Sequence, residues 1–501
     1  MARYDVLLPP QQVADLPPLA RFALRLAKLG SRPPQNDPES RLTAALSALG
    51  PSYIKLGQFL ATRPDIIGPE RAFELKALQD RLPPFDMEDA KSIIRKTLGG
   101  NIDDFFTEFG EPVAAASIAQ VHRARTNDGK DVAVKVLRPG VERRFADDLQ
   151  SFYFAARLIE RFNAEGRRLR PVDAVKMLEQ SMKLELDLRM EASAMSELTE
   201  NTRKDPGFRV PEVDWQRTGR QVLTTGWIEG TPIADVAALR AAGFDLVKLG
   251  DTVIQSFLRH AIRDGFFHAD MHPGNLFVDH DGTLVAVDFG ITGRLGEKER
   301  MVLAEILYGF ITRDYMRVSL VHFDVGYVPR HKDPADFAQA LRAIGEPIMD
   351  KAANEISMAR LLTQLFEVTA QFDMVTQPQL LLLQKTMVVV EGVARTLNPH
   401  LNMWETAEPV VREWIERRIG PVGRLESGAV TLARMVMVLP GLLDDAQKAT
   451  AMLADMAKSG GLHLDSGTTA DLARTRQDWI TRYAVLAGAI ALVAIALKVA
   501  S

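Results

Sequence analysis

The chain has 501 residues, 47% hydrophobic and 25% charged, ordinary globular proportions that exclude a disordered, collagen-like or wholly membrane-embedded protein. With 61 Lys plus Arg against 65 Asp plus Glu the net charge is -4, so nothing draws the molecule as a whole to nucleic acid or anionic lipid. There is no cysteine, which removes disulfides, thiolate metal sites and a thiol nucleophile and fits a reducing compartment, while 7% aromatics with abundant Ala and Leu favour helices over an all-β fold.

The opening MARYDVLLPP has no basic stretch leading into an apolar run, so it does not read as a secretory signal and the body is expected on the cytoplasmic side. Between Leu16 and Asn36 no acidic residue occurs, and Arg21, Arg25, Lys28 and Arg32 share one helical face opposite Leu19, Phe22, Leu26 and Leu29. That pattern suits either an interfacial membrane helix or a surface helix packed on the protein's own core. Arg41 to Gln79 reads as helical, with Gly57 as a break.

Strand-like alternation follows at Val113 to Ala124 and Lys130 to Leu137. In Val132-Ala133-Val134-Lys135 an ammonium interrupts an apolar run, which is costly unless an anion stands beside it. The alternative is an edge lysine with its head in water. Helical patterns cover Ala146 to Glu200, Leu246 to Asp264, Glu297 to Phe323 and Gln379 to Leu397, with short strands at Gln221 to Trp227, Leu276 to Val278 and Leu284 to Val287. The helix through Lys183 to Glu191 carries Glu185, Asp187 and Glu191, and spacing alone does not choose a partner for Lys135 among them. Pro33-Pro34, Pro83-Pro84 and Pro206 mark joins between segments.

Near the C-terminal end, Met435 to Leu443 is an apolar patch too short to span a bilayer and reads as a partner-binding or membrane-facing surface. Tyr483 to Leu497 is an uncharged run of fifteen residues. It would rise about 22 Å against about 30 Å of hydrocarbon, so a short span is expected there, with Arg482 and Lys498 snorkelling, the alternative being a buried or amphipathic terminal helix. Arg474, Arg476 and Arg482 precede it and favour a cytoplasmic body. The small-residue pairs Ala484/Gly488 and Ala487/Ala491 would let two such helices pack, a route to a homodimer.

The densest chemistry lies in HADMHPGNLFVDHDGTLVAVDFG, where Asp270, Asn275 and Asp288 stand five and thirteen residues apart on loops flanking a hairpin. An Asn carbonyl and an Asp carboxylate are hard oxygen ligands suited to Mg²⁺, which completes its shell with water and nucleotide phosphates. Asp270, just upstream, is placed to orient a nucleophile or accept its proton. Turn and capping roles would explain any one of the three alone, but not the set at this spacing.

These residues resemble the protein-kinase-like superfamily and, within it, the atypical UbiB (aarF-domain) branch. Its His-Ala-Asp and His-Pro-Gly-Asn sequences stand here as His268-Ala269-Asp270 and His272-Pro273-Gly274-Asn275, with Met271 where the branch usually has proline. The resemblance extends to an Ala-rich loop, Ala114-Ala115-Ala116-Ser117-Ile118-Ala119-Gln120-Val121, in place of a glycine-rich phosphate loop, and to the KxGQ motif at Lys55-Leu56-Gly57-Gln58. It also covers the ExD motif at Glu185-Leu186-Asp187 and Lys385-Thr386 with Glu391 to Arg395, so that it runs from about Leu49 to Asn402.

What the resemblance implies is an α+β, two-lobed kinase-like fold, mostly helical, with an N-terminal helical extension and a C-terminal hydrophobic helix. The expected domains are an extension at 1-108, an N-lobe at 109-230, a helical C-lobe at 231-405, a further helical region at 406-480 and a membrane helix at 481-501. ATP and Mg²⁺ are the implied cofactors, with Lys135 and the Ala-rich loop on the phosphates and Glu191 as partner to Lys135. Asn275 and Asp288 would hold the metal and Asp270 would be catalytic. Lys55 and Gln58 would cap the cleft opposite Glu185 and Asp187. The implied role is an ATPase or small-molecule kinase at the inner membrane, single-pass or peripheral, supporting ubiquinone biosynthesis with quinone precursors and biosynthetic enzymes as partners. A protein Ser/Thr kinase and a nucleotide-gated lipid-binding scaffold are the alternatives.

Overall fold

A computed structural model describes residues 41–61, 82–162, 170–349 and 378–419, with further positions at 67, 74–75, 78, 364, 367–368 and 371–374. The basic face at 16–36, the apolar patch at 435–443 and the uncharged run at 483–497 lie outside the described residues. Among the described residues no helix is long and apolar enough to cross a membrane.

Helices α1 (Arg41–Leu49) and α2 (Pro51–Ala61) pack on each other through Leu46 and Ile54, with Leu75 and Leu78 completing the cluster. Contrary to the expected break, α2 runs straight through Gly57. A methyl there would come within 2.6 Å of Leu78 and 2.8 Å of Leu46, so this glycine serves close approach between segments. Helix α3 (Met87–Leu98) starts where the Asp86 side chain accepts from the Glu88 N–H and stops at Gly99 in the left-handed conformation. Glu88 and Asp89 in its first turn and Arg95 and Lys96 in its last suit the helix dipole.

Three strands follow, β1 (Phe106–Ala115), β2 (Ala119–Thr126) and β3 (Asp131–Leu137), then helices α4 (Val141–Phe162), α5 (Pro171–Glu185) and α6 (Leu188–Thr202), and then strands β4 (Phe208–Arg209) and β5 (Val222–Gly226). Strands β1, β2, β3 and β5 form one antiparallel sheet in that order. The alternation in β3 buries Val132, Val134 and Val136 against Ile93 and Ile94 of α3, which leaves Lys135 on the opposite face. Helix α3, within the stretch expected as extension, thus floors the core of the sheet.

The pattern from Ala146 to Glu200 divides into α4, α5 and α6, so Glu185, Asp187 and Glu191 do not share one helix. Glu185 ends α5, and the Asp187 carboxylate caps α6 by accepting from the Arg189 N–H. A short side chain that bonds its own downstream backbone favours a helix start there, and this ended the run that periodicity alone would continue.

The rest is mainly helical. Strand β6 (Thr231–Pro232) leads to α7 (Val236–Ala241) and α8 (Leu246–Leu258), and α8 continues as a π-helical turn at Arg259–Asp264. Strands β7 (Phe266–His268), β8 (Leu276–Val278), β9 (Leu284–Ala286) and β10 (Thr292–Arg294) then carry the loops of interest. They are followed by α9 (Glu297–Ile311), α10 (Tyr315–Asp324), α11 (Pro334–Met349), α12 (Pro378–Leu397) and α13 (Met403–Ile419). One apolar core, from Leu137 and Phe145 through Phe257, Phe267 and Phe289 to Val393 and Val411, joins the base of the sheet to these helices.

The π turn aims Arg263 at the end of α6. Its guanidinium donates to Asp205 (2.9 Å for Nη2) and to the Asn201 carbonyl (3.1 Å). Arg263→Ala would strand Asp205, only 7% exposed, without its cation. Because Arg263 itself is partly in water, the loss expected in denaturant unfolding is about 2 kcal/mol, and an unchanged midpoint would deny the tether its role.

Candidate active site

Two backbone pairings assemble the site. Strand β7 pairs with β10, His268 opposite Thr292, and the Ala269 N–H donates to the Ile291 carbonyl (3.0 Å). Strand β8 pairs with β9, and the Val287 N–H donates to the Asn275 carbonyl (2.9 Å). The loop bearing Asp270 and Asn275 is therefore tied at both ends to the chain around Asp288.

His268 fixes the start of that loop. It is buried, its Nδ1 accepts from the Asp270 N–H (3.0 Å), and its Nε2 faces the Val287 carbonyl (3.0 Å). One acceptor and one donor is the demand met by the neutral ring protonated at Nε2, and burial holds its pKa below the usual histidine value. From behind, Thr386 of α12 donates to the Ala269 carbonyl (3.1 Å), and Met271 fills a fully buried position where proline would have fixed the chain.

Asn275 donates its side-chain N–H to the Asp270 carbonyl (3.0 Å), which commits its amide nitrogen to the loop and leaves Oδ1 as the atom able to bind a cation. Asp270 has a half-exposed carboxylate, 3.9 Å from His272 Nε2. Asp288 has φ +60°, a left-handed conformation that Asp tolerates better than most side chains. Its neighbour Phe289 is buried and packs on His268 with ring centroids 4.6 Å apart.

Lys135 joins the sheet to these loops. Its Nζ is 2.9 Å from both carboxylate oxygens of Glu191 and 2.9 Å from Asp288 Oδ1. Burial opposes its charge, but Asp288 and Glu191 outweigh that and hold its pKa above the ordinary lysine value. The Glu191 side chain is 7% exposed, and burial raises its pKa despite Lys135. The Asp288 side chain is 49% exposed; desolvation works against its charge, yet Lys135 holds its pKa well below the carboxylate range. The pair deep in the protein is thus Lys135–Glu191, while Asp288 is a charged, water-facing third member.

The three acids between Glu185 and Glu191 go to three partners. Glu191 meets Lys135, Glu185 meets Lys55 Nζ at 2.7 Å, and Asp187 meets Arg189 (2.8 Å to Nε). Lys55 also lies close enough for its charge to help hold Asp288 ionised. Gln58 is half-buried on α2, three residues beyond Lys55.

The Ala-rich segment is the turn between β1 and β2, closed by the Ala116 N–H donating to the Ala119 carbonyl (2.8 Å). Ala114 and Ala115 lie in β1, Ser117, Ile118 and Ala119 are buried, and Val121 pairs with Lys135 and shares its face of the sheet. Gln120 faces the other way. Its amide is taken up by Phe85 and His122, so its side chain stands apart from the cleft residues. Three contributors carried no signal in the sequence: Arg138, which bonds the Ala116 carbonyl, and the pair Arg294–Glu197 between β10 and α6 (2.7 Å). An arginine at the end of a strand or on a helix face reads as solvated until its partner is known.

Residues 77–322 match the ABC1 atypical kinase-like domain and residues 341–402 the UbiB helical domain. The chain belongs to the UbiB family of atypical kinase-like proteins. Relatives named "Probable protein kinase UbiB" include one from Marinobacter nauticus, 42% identical over 85% of this chain and 78% of its own length. Another, from Azotobacter vinelandii, is 42% identical over 77% of this chain and 73% of its own length. Among solved structures, a complex of Rv3197 with erythromycin from Mycobacterium tuberculosis aligns with TM-score 0.50 at 23% identity, over 78% of this chain and 98% of that one, a likeness of fold alone. The kinase-like fold expected of a UbiB protein is therefore present, and the C-terminal hydrophobic helix expected with it falls outside the described residues.

Proposed function

We propose that this UbiB-family protein is an Mg-ATP-dependent ATPase or small-molecule kinase that works beside a membrane in support of ubiquinone biosynthesis. One observation carries the chemistry: a lysine ammonium from the sheet, held by a buried Glu191, lies against Asp288 while Asn275 and Asp270 stand on the adjoining loop. The residues present fit a magnesium-complexed nucleotide. Asp288 is ionised and water-facing, and Asn275 keeps an oxygen for a hard cation. Bound there, Mg²⁺ would neutralise charge on the phosphate oxygens.

The chain's own groups do the rest. Lys135, whose charge Asp288 and Glu191 favour, attracts the phosphates; Glu191 keeps its ammonium in place; the His268 ring, through the Asp270 N–H, sets the start of the loop. Asp270 Oδ then orients the attacking hydroxyl or water and accepts its proton. The role beside ubiquinone biosynthesis follows the UbiB name of the relatives. A small acceptor or water is favoured over a protein because α2 brings Lys55 against Glu185 and near Asp288, which sets the chain's own helix at the cleft.

The deciding experiment measures Mg-ATP turnover by the purified full chain, with and without anionic liposomes and a phenol resembling a quinone head group. Stimulation by either supports the reading, and transfer to protein substrates with no response to lipid or phenol would replace it with the kinase alternative. Ligand linkage gives a simpler check: Mg-ATP at a hundredfold excess over its Kd should stabilise the fold by about 2.7 kcal/mol, and chelating the metal should abolish most of that shift.

A further inference from the structure

The segment Pro83–Phe85, which enters α3, is bound to the Ala-rich turn like a strap. Arg138 stands one residue beyond the end of β3, three beyond Lys135. Its Nη2 donates to the Pro83 carbonyl (2.7 Å) and to the Ala116 carbonyl (2.9 Å), and its Nε donates to the same Ala116 oxygen (3.1 Å). The guanidinium lies over the Phe85 ring, 5.5 Å from its centroid. Behind it, Gln120 grips the Phe85 backbone from both sides, accepting from its N–H (2.9 Å) and donating to its carbonyl (3.3 Å). The Arg138 N–H itself donates to the Ile118 carbonyl (2.8 Å).

The turn is thus held at the carbonyls of Ala116 and Ile118 by one arginine that also holds the strap. We propose that Arg138 is a positioning residue that clamps the Ala-rich turn to the Pro83–Phe85 strap, and that opening this clamp sets the rate at which nucleotide leaves the cleft. The inference rests on the nucleotide site proposed above, because the turn matters for release only if the ligand sits beneath it. Charge-assisted bonds from a planar fork give the clamp its strength, and a fork is what a lysine cannot reproduce. The clamp also makes the site responsive to the N-terminal extension, since a pull on the strap reaches the turn through Arg138 at the Ala116 carbonyl and through Gln120 at the start of β2.

The test compares wild type, Arg138→Lys and Arg138→Ala in the full chain. Hydrogen exchange is followed in a peptide spanning Val113 to Val121, and dissociation of a fluorescent ADP analogue is followed by stopped flow. Loss of one or two such bonds should speed both turn exchange and nucleotide release about tenfold in Arg138→Lys, with a fall in global stability no larger than that tenfold, about 1.4 kcal/mol. Arg138→Ala should exceed it; should that variant fold poorly, the lysine variant decides. Unchanged exchange at the turn overturns the clamp, and a loosened turn with wild-type release overturns its control of nucleotide. Failure of wild type to bind the analogue would bring down the nucleotide site and this inference together, a result distinct from either.

Discussion

Asp288→Asn should reduce Mg-ATP turnover at least about a hundredfold while leaving the protein folded, because several kcal/mol of phosphate charge stabilisation depend on an anionic metal ligand. The two effects separate for structural reasons. Asn accepts the left-handed backbone at φ +60° as readily as Asp, so the turn is not strained by the change. Lys135 keeps both bonds to Glu191, and the lost ion pair involves a side chain 49% exposed, whose contribution is screened to within about 1 kcal/mol. Phosphate release assayed at saturating magnesium, beside a thermal melt, reads both quantities. Turnover within a few-fold of wild type would remove Asp288 from the metal site, whatever its effect on stability.

How far the sequence could be read depended on whether the information was local. Asp270, Asn275 and Asp288 were legible because the spacing encodes a hairpin between two loops, and the strands β8 and β9 formed where alternation placed them. Lys135 was legible because an ammonium in an apolar strand demands an anion, yet its choice of Glu191 over Glu185 and Asp187 came from the family resemblance and not from spacing. That choice depends on a helix break at Leu186–Asp187, made by a capping carboxylate that periodicity does not weigh. Gly57 misled for a related reason: a glycine within a helix signals a break to propensity, while here Leu46 and Leu78 press against it. Arg138 and Arg294 were illegible, since each partner lies far off in the chain, at Pro83 and Glu197.

Lys135→Met tests the deeper pair, and its expected signature is a stability loss that grows with pH. In wild type, burial already lifts the Glu191 pKa, and Lys135 is the group that restrains it. Without the ammonium, Glu191 must either carry an uncompensated buried charge or keep its proton. At pH 7 the variant is expected to lose about 3 kcal/mol of stability along with nucleotide binding. The sign of the pH effect follows from linkage. A carboxyl whose folded pKa exceeds its unfolded value, near 4.3 for a free Glu, favours the folded state fully below that value and ceases to do so as pH rises through the folded pKa. Asp288 acts in the same sense on the difference. Its depressed pKa in wild type gives stability present above about pH 4 and lost on acidification, and the variant lacks it. Wild type and variant should therefore converge below about pH 4 and diverge towards neutrality. Adding Glu191→Met to Lys135→Met should recover most of the stability at pH 7, because two apolar side chains at these largely buried positions leave no charge there to solvate, but should recover none of the nucleotide binding. Urea unfolding of the three proteins at pH 4 and pH 7 provides the comparison. A single variant as stable as wild type at both values would mean that water, and not Glu191, is the real partner of the lysine.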